Sequence, residues 1–577
     1  MLNFKKDICS LLSPLTGMSP EEIEALLEIP PDADLGEYAF PCYQLAKYFK
    51  KDPRKIAEDL SSQVNPTETI ERAENAGPYL NFYIRRTYLA ARLLPSILAE
   101  GEDYGSSSEG KGSTIVIDYS APNIAKPFGV GHLRSTVIGN ALYRIYSYLG
   151  YEVVGVNYLG DWGTQFGKLI AAYLRWGEEG KLQDDPIGYL YNLYVTFHRE
   201  AEEDPQLEDE ARGWFRKLEL GHRDAVNLWE KFRALSLEEF KRLYGHLGVQ
   251  FDSYHGESFF NEKIDEVIDI MQAKGLVKES EGALLADLES YGLPSCLLRK
   301  RDGGTLYIAR DIAAAIYRHE NYNFSQMLYV VGSEQTLHFQ QLFKILELMG
   351  FEWAGKCYHV PFGLIHFKDG RMSTREGKVI FLEDVLKRAV DLAYNIIEEK
   401  NPDLHSKEEA ARMVGYGAII FGDLVNDRIK DIEFDWDKVL DFSGETAPYI
   451  QYSHARICSI LRKAQSSGNY SFKVGNSFPR EPSYHEEFLR ASEEERLIIT
   501  LARFEENIKR SAQDYRPSYL ARYLLELARD FNKFYHNCPV LGAEEELKKA
   551  RLMLIEAVRI ILNSGLNLLG IEAPQEM

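Results

Sequence analysis

The chain has 577 residues, too many for a single hydrophobic core, and its 45% hydrophobic and 27% charged content is that of a globular protein, not a disordered or fibrous one. No apolar run is long enough to cross a bilayer, so no membrane span is expected. The net charge of −21 argues against broad, non-specific nucleic-acid affinity, which needs Lys and Arg against phosphates, yet leaves room for a specific RNA met by local basic faces.

The start, "MLNFKKDICSLLSPL", reads as an ordinary first helix and not as an export signal, because Asp7 follows the lysines and the apolar stretch is short. Six cysteines (Cys9, Cys42, Cys296, Cys357, Cys458, Cys538) contain no C-x-x-C pair. They form neither a zinc knuckle nor a disulfide framework, and suit a reducing cytoplasm. Residues 1 to about 100 mix helical periodicity with a closing extended stretch, "AGPYLNFYI" (76–84), and "GEDYGSSSEGKGS" (101–113) reads as a linker.

"TIVIDYS" (114–120) is a β-branched strand, and "KPFGVGHLRST" (126–136) leads from it into a helix ended by Gly150. "YEVVGVNYLGDWGTQFG" follows as a second strand and loop, completing the βαβ pattern of a parallel sheet. Residues 175–250 are helical and acidic and look like an insertion, and the sheet pattern resumes with "MLYVVGSEQ" (327–335) and "YHVPFGLIHF" (358–367). After about 400 the strands disappear. Leu497, Leu501, Phe504 and Ile508 keep helical spacing, as do Leu520, Tyr523, Leu524, Leu527, Phe531 and Phe534, and a third such face runs through Leu547, Leu554, Val558 and Ile561. The end is therefore expected to be a helix bundle, with 465–483 as a loop within it.

Chemistry enters at two places. Gly129 and Gly131 let backbone N–H groups approach an anion, and the helix beginning after them adds its positive end. His132 can donate a further hydrogen bond, and Lys126 can bring a full charge. Taken alone, this is also what a tight strand–helix connection looks like. Later, "GRMSTREGKVI" (370–380) is a polar loop with Arg371, Ser373, Thr374, Arg375 and Lys378, suited to closing cationic groups over polyphosphate, and equally compatible with a solvated turn.

Together and in this order, "SAPNIAKPFGVGHLRST" and "RMSTR" resemble the H-I-G-H and K-M-S-K-S regions of class I aminoacyl-tRNA synthetases. The blocks "DYSAPNIAKPF", "NYLGDWGTQFG", "YIARDIAAAIYR", "GETAPYIQYSHARI" and "LNLLGIEAPQEM" resemble arginyl-tRNA synthetases of bacterial type, over nearly the whole chain. The resemblance implies an α/β fold: a Rossmann-like parallel-sheet catalytic domain with a helical insertion, an α+β amino-terminal domain and an all-α carboxy-terminal bundle. It places a tRNA-docking domain at 1–108, the catalytic domain at 109–400 with the insertion at about 175–255, a connecting helical segment at 401–445 and the anticodon-binding domain at 446–577.

The implied reaction joins L-arginine to tRNA(Arg) through an arginyl-adenylate, releasing AMP and pyrophosphate, with ATP entering as its Mg2+ complex and no structural zinc. The family generally needs bound tRNA before it activates the amino acid, and a cytoplasmic monomer is its default form. Lys126, His132, Arg371, Ser373 and Arg375 are the implied catalytic residues, and Gly129, Gly131, His132, Met372 and Ser373 the ATP-binding ones. By the same resemblance Asp118, Glu257, Tyr307, Asp311 and Gln335 sit at amino-acid-pocket positions, and Asn123 holds the α-amino or carboxylate end. A planar guanidinium needs acceptors placed for bidentate contact, which suits this set better than a lysine would. Tyr449, Gln451, Tyr452 and Met577 fall in blocks that frame the anticodon. Lys50, Lys51 and Arg54, and Arg85 with Arg86, are loose candidates for tRNA contacts of the first domain.

Two departures stand out. Gly129 replaces the first histidine of H-x-G-H, and "RMSTREG" carries arginines at the usual lysine positions, with Glu376 following. In the family, a lysine just before the first signature can compensate for a degenerate second one, and Lys126 stands there. A catalytically silent relative that binds tRNA or arginine, or another adenylating enzyme, is the competing reading.

Overall fold

The structure, a computed structural model, describes residues 4–577 apart from 31–34, 302, 303, 305, 368–380, 437–440, 442, 443 and 467–487. The chain divides into two units, the first made of 1–104, 453–505 and 525–564, the second of 105–452, 506–524 and 565–577.

In the first unit an antiparallel sheet of three strands is ordered Tyr38–Pro41, Tyr79–Ile84, Ile70–Ala76. Its central strand, expected from "AGPYLNFYI", is buried from Leu80 to Ile84 and turns from its neighbour at Gly77, whose φ of 59° suits a residue without a side chain. Three basic candidates are bonded within this unit. Arg86 donates to Glu37 Oε1 at 2.7 Å and to the Ile84 carbonyl at 2.9 Å, and Arg85 donates to the Thr67 carbonyl at 3.2 Å. Lys51 pairs with Asp59 at 2.7 Å. The helix Arg86–Glu100 buries Leu89, Leu93, Leu94 and Ile97 and packs against the helix Ser492–Ala502.

The second unit holds a four-stranded parallel sheet. Its strands are β1 (Thr114–Asp118), β2 (Glu152–Val156), β3 (Gln326–Tyr329) and β4 (Cys357–His359), in spatial order β4-β3-β1-β2. Helices cover β1, so its Ile115, Val116 and Ile117 are buried on both faces, as parallel strands require. The chain leaves β1 toward β2 on one side and returns to pair β3 on the other. That reversal opens a crevice at the carboxyl ends of β1 and β3, the usual ligand position in such sheets. The helices α1 (Leu133–Tyr148) and α3 (Tyr307–Tyr322) pack against β1, α4 (Thr336–Leu348) packs against β4, and α2 (Arg223–His246) is bonded to the chain just after β1.

The expected insertion at about 175–255 holds the helices Glu179–Asp184, Pro186–Glu203 and Gln206–Glu219, and α2 is its last and longest helix. A small antiparallel sheet, Val277–Ser280, Ala283–Ala286 and Cys296–Arg299, follows it. Its four-residue strands left no clear alternation to read in the sequence. The apolar faces anticipated near the end are buried, with Leu547 partly so, while most of the loop proposed at 465–483 lies outside the described residues.

Candidate active site

Strand β1 delivers Asp118 to the crevice, and the chain then makes an unusual loop. Ser120, Ala121 and Ala125 have φ of 73°, 44° and 58°, left-handed values that cost a side-chain-bearing residue about 1–3 kcal/mol each. The loop ends in a 3-10 turn, Val130–His132, which runs straight into α1. The fold itself does not demand glycine at Gly131: a Cβ there would meet no protein atom within 4 Å. What the glycine leaves accessible is a row of backbone groups at a helix start, which suits an anion.

His132 follows. Burial pushes its imidazole down to about 4, with the Gly129 backbone opposing and the nearby Lys126 charge lowering it further, and its Nδ1 is buried without a hydrogen-bond partner. It is therefore a neutral hydrogen-bonding group at physiological pH, not a cation. Lys126 lies 5.4 Å from the centroid of the Tyr194 ring, contributed by the insertion.

Arg371, Met372, Ser373 and Arg375 lie outside the described residues, but the chain on either side of them is tied to the first signature. Gly129 forms an antiparallel bridge with Phe381, and the Leu382 N–H donates to the Phe128 carbonyl at 2.9 Å. On the other side, the buried Arg134 donates to the Gly363 carbonyl at 2.7 Å and the Lys430 carbonyl at 2.8 Å, and pairs with Asp423 at 2.9 Å. Gly363 precedes the strand Ile365–Phe367, which pairs in parallel with Ile432–Phe434.

The other candidates converge beside Asp118. Helix α3 starts at Tyr307, so Tyr307, Asp311 and Arg318, spaced by four and seven residues, share one face. Arg318, buried, pairs with Asp118 at 2.8 Å and stands over the rings of Tyr158 at 5.2 Å and Tyr329 at 5.6 Å. Burial by itself would lower its guanidinium, and Asp118 with the two tyrosines more than reverses this. Asp311 takes His338 Nε2 at 2.6 Å.

Glu257 opens a 3-10 turn after the insertion, with Arg310 3.6 Å away. Its Oε2 is buried without a hydrogen-bond partner, and burial pushes the carboxyl up to about 8, Arg310 opposing and Asp311 and Asp161 adding to the rise. Tyr307 is half exposed at the mouth and feels both Glu257 and Asp311. Tyr158 lies among them, its hydroxyl raised by burial and by Asp311 and Glu257. Asn123 bridges Gly160, where a Cβ would come within 2.3 Å of the Asn123 Oδ1, so a side chain there would displace the Asn123 amide. Gln335 is exposed at the end of the turn before α4.

Sequence reasoning missed Arg318, His338, Arg310 and the buried Asp161, which Arg233 of α2 reaches at 2.8 Å. A signal for Arg318 existed in its seven-residue spacing from Asp311; none marked the others, because their partners are remote in sequence. Of the anticodon candidates, Gln451 lies in the interior. It is fully buried and its amide donates to the Met413 carbonyl at 3.0 Å and the Glu572 carbonyl at 2.7 Å. Tyr452 is exposed and Tyr449 half-buried, while Met577 packs on the apolar cluster of Ala393, Val414 and their neighbours.

A parallel sheet with a glycine turn after β1 and carboxylates gathered at its switch point is an architecture in which nucleotides are commonly bound, and the fold is that of the class I synthetases. Residues 93–436 match the family described as tRNA synthetases class I (R), catalytic domain; 450–577 match the DALR anticodon binding domain, and 2–84 the arginyl tRNA synthetase N terminal domain. The arginine--tRNA ligase of Halothermothrix orenii is 47% identical over 578 residues, covering all of both chains. The solved arginyl-tRNA synthetase of Thermus thermophilus is 27% identical with a TM-score of 0.81, covering 100% of this chain and 99% of its own. That of Plasmodium falciparum is 25% identical with a TM-score of 0.79, covering 99% and 98%. This chain belongs to the class I arginyl-tRNA synthetases.

Proposed function

We infer that the chain joins L-arginine to tRNA(Arg) at the expense of ATP, by way of an arginyl-adenylate. The observation that supports this reading best is the buried Oε2 of Glu257, which has an ion pair with Arg310 at 3.6 Å but no hydrogen bond, close to Asp311 and Tyr307. A desolvated acceptor raised to about 8 gains most from a cation that supplies hydrogen bonds. Glu257, Asp311 and Tyr307 bind the guanidinium. Asp118, already held by Arg318, positions that cation, and Asn123 and Gln335 take the polar end of the amino acid. Gly131, the N-terminus of α1 and neutral His132 receive ATP, and Lys126 supplies positive charge at its phosphates. The arginine carboxylate attacks the α-phosphorus and pyrophosphate leaves; the terminal 2′-hydroxyl of the tRNA then attacks the adenylate carbonyl and AMP leaves. Neither step uses a protein nucleophile, so alignment and charge are the enzyme's contribution.

Mg2+ enters with ATP as its substrate complex; among the described residues no group of three metal-ligating side chains is gathered. The domain limits 1–108, 109–400, 401–445 and 446–577 fit this role, with Tyr449, Tyr452 and Met577 facing the tRNA end. No described helix is long and apolar enough to cross a membrane. A cytoplasmic monomer without structural zinc completes the reading.

Arginine-dependent ATP–pyrophosphate exchange, with and without tRNA(Arg), tests it. Exchange that requires arginine and tRNA is expected. No exchange with tRNA present would leave a binding protein without catalysis.

A further inference from the structure

The insertion is bonded to the loop that the reaction needs, at the residues where that loop is strained. The Ala125 N–H, at φ 58°, donates to Ser236 Oγ of α2 at 3.0 Å, and that hydroxyl donates to the Phe232 carbonyl at 2.7 Å. Ser120, at φ 73°, has its hydroxyl 2.8 Å from Tyr244 Oη, also on α2. Tyr244 in turn accepts from Asn157 Nδ2 at 2.9 Å. Thr136 and Ser135 of α1 close the network on Ser120 at 2.8 Å each. Ser236, Tyr244, Ser135, Thr136, Asn157 and Ser120 are all buried, so each lost bond leaves a polar group without water to replace it.

The same helix packs Phe240 and Tyr244 against Phe128, with ring centroids 5.9 Å and 5.5 Å away. Between the two bonded points lie Pro122 and Asn123, and immediately after them comes Lys126. A loop with three left-handed non-glycine residues holds that shape only when its surroundings over-determine it.

We propose that Ser236 and Tyr244 of the insertion are positioning residues, which hold residues 120–125 in their strained form and thereby aim Asn123 and Lys126 into the active site. The proposal rests on the synthetase reading for its kinetic consequence and on geometry alone for the loop. Neither residue touches substrate. They act through the backbone of Ala125 and the hydroxyl of Ser120, so the insertion contributes to amino-acid activation from outside the pocket.

The test compares wild type with Ser236→Ala, Tyr244→Phe, Ala125→Gly and the pair Ser236→Ala/Ala125→Gly. Exchange kinetics, melting temperature and hydrogen exchange of the 119–133 backbone are measured for each. Ser236→Ala and Tyr244→Phe should each lower kcat or raise the arginine KM, about 5- to 30-fold in kcat/KM, as expected for one buried hydrogen bond. Both should speed hydrogen exchange at 119–126. Glycine accepts φ 58° without strain. Ala125→Gly should therefore restore most of the activity lost in Ser236→Ala without restoring its melting temperature, which a merely structural role for Ser236 would not give. Unchanged kcat/KM and unchanged hydrogen exchange in both single variants would overturn the proposal, as would the absence of rescue by Ala125→Gly. An inactive wild type would sink the synthetase reading instead, and hydrogen exchange would still decide whether α2 holds the loop.

Discussion

Arg318 and Asp118 lie 2.8 Å apart, both buried, beside the rings of Tyr158 and Tyr329 at the carboxyl end of β1. One of the acceptors expected to contact substrate is thus already engaged by an arginine of the chain itself. Glu257 keeps a buried oxygen without a hydrogen bond, with only Arg310 at 3.6 Å, so the proposed guanidinium contacts centre on Glu257, Asp311 and Tyr307. This arrangement also bears on the repulsion expected among clustered carboxylates, since Arg318 offsets one of them permanently.

Breaking that pair from one side should be costly. Arg318→Met leaves Asp118 as a buried charge without its partner, and a loss of about 3–5 kcal/mol in unfolding free energy is expected. Denaturant unfolding at pH 7 measures it; a loss below about 1 kcal/mol would mean that Asp118 simply takes up a proton without consequence.

On the proposed reading, Glu257 should make arginine binding pH-dependent. Its carboxyl, raised to about 8, is largely neutral at pH 7, and a bound guanidinium favours the ionised form. Affinity should rise with pH, up to about tenfold per unit, and level off above 8, with a proton released on binding below that point. Calorimetry in buffers of different ionisation enthalpy detects the proton, and Glu257→Gln should abolish the dependence while weakening binding. The sign for stability is the opposite: the free protein holds a proton there that the unfolded chain releases near the ordinary carboxylate pKa. That contribution is full below the ordinary value and is lost as pH climbs from it to about 8.

His132 should not titrate in the working range. With its imidazole pushed down to about 4, the kcat profile between pH 6 and 8 should carry no inflection from this residue. His132→Ala should still lower kcat/KM, by about 10- to 150-fold for one hydrogen bond to a charged phosphate. A histidine proton resonance titrating near 6.5 and vanishing in that variant would contradict the neutral assignment.

Lys126→Ala should reduce exchange by a similar factor, about 10- to 150-fold, if its charge makes up for the departures in the two signatures. An unchanged rate refutes the compensation. Gly129→His is the complementary measurement. Gly129 is buried and bridged to Phe381, so adding a large side chain should lower activity instead of repairing it.

Gln451→Ala should destabilise the protein by about 1–3 kcal/mol through two lost buried hydrogen bonds, with little change in discrimination among tRNAs. Tyr452→Ala, at an exposed ring, should do the reverse: a rise in tRNA KM with an ordinary melting temperature. Equal effects of the two on tRNA KM would count against this division.

Much of the site could be read along the chain because its signals are local. The β-branched run of β1, the glycines before α1 and the four-residue step from Tyr307 to Asp311 each follow from spacing that a regular backbone enforces. The family resemblance rested on the same contiguous blocks, which is why the order of domains and the catalytic fold could be anticipated from them.

What each charged side chain is bonded to was decided only by the tertiary structure. Asp118 with Arg318, Asp161 with Arg233, and Gln451 with two remote carbonyls are contacts between segments far apart in sequence. No periodicity records them, because they form only when segments remote in sequence pack together in the folded chain. The neutrality of His132 and the raised carboxyl of Glu257 have the same origin: burial sets them, and burial is a property of the closed fold. By itself, the sequence determined which chemical groups this synthetase brings to its crevice. Only the folded chain decided which of them are already bonded and which remain to meet a substrate.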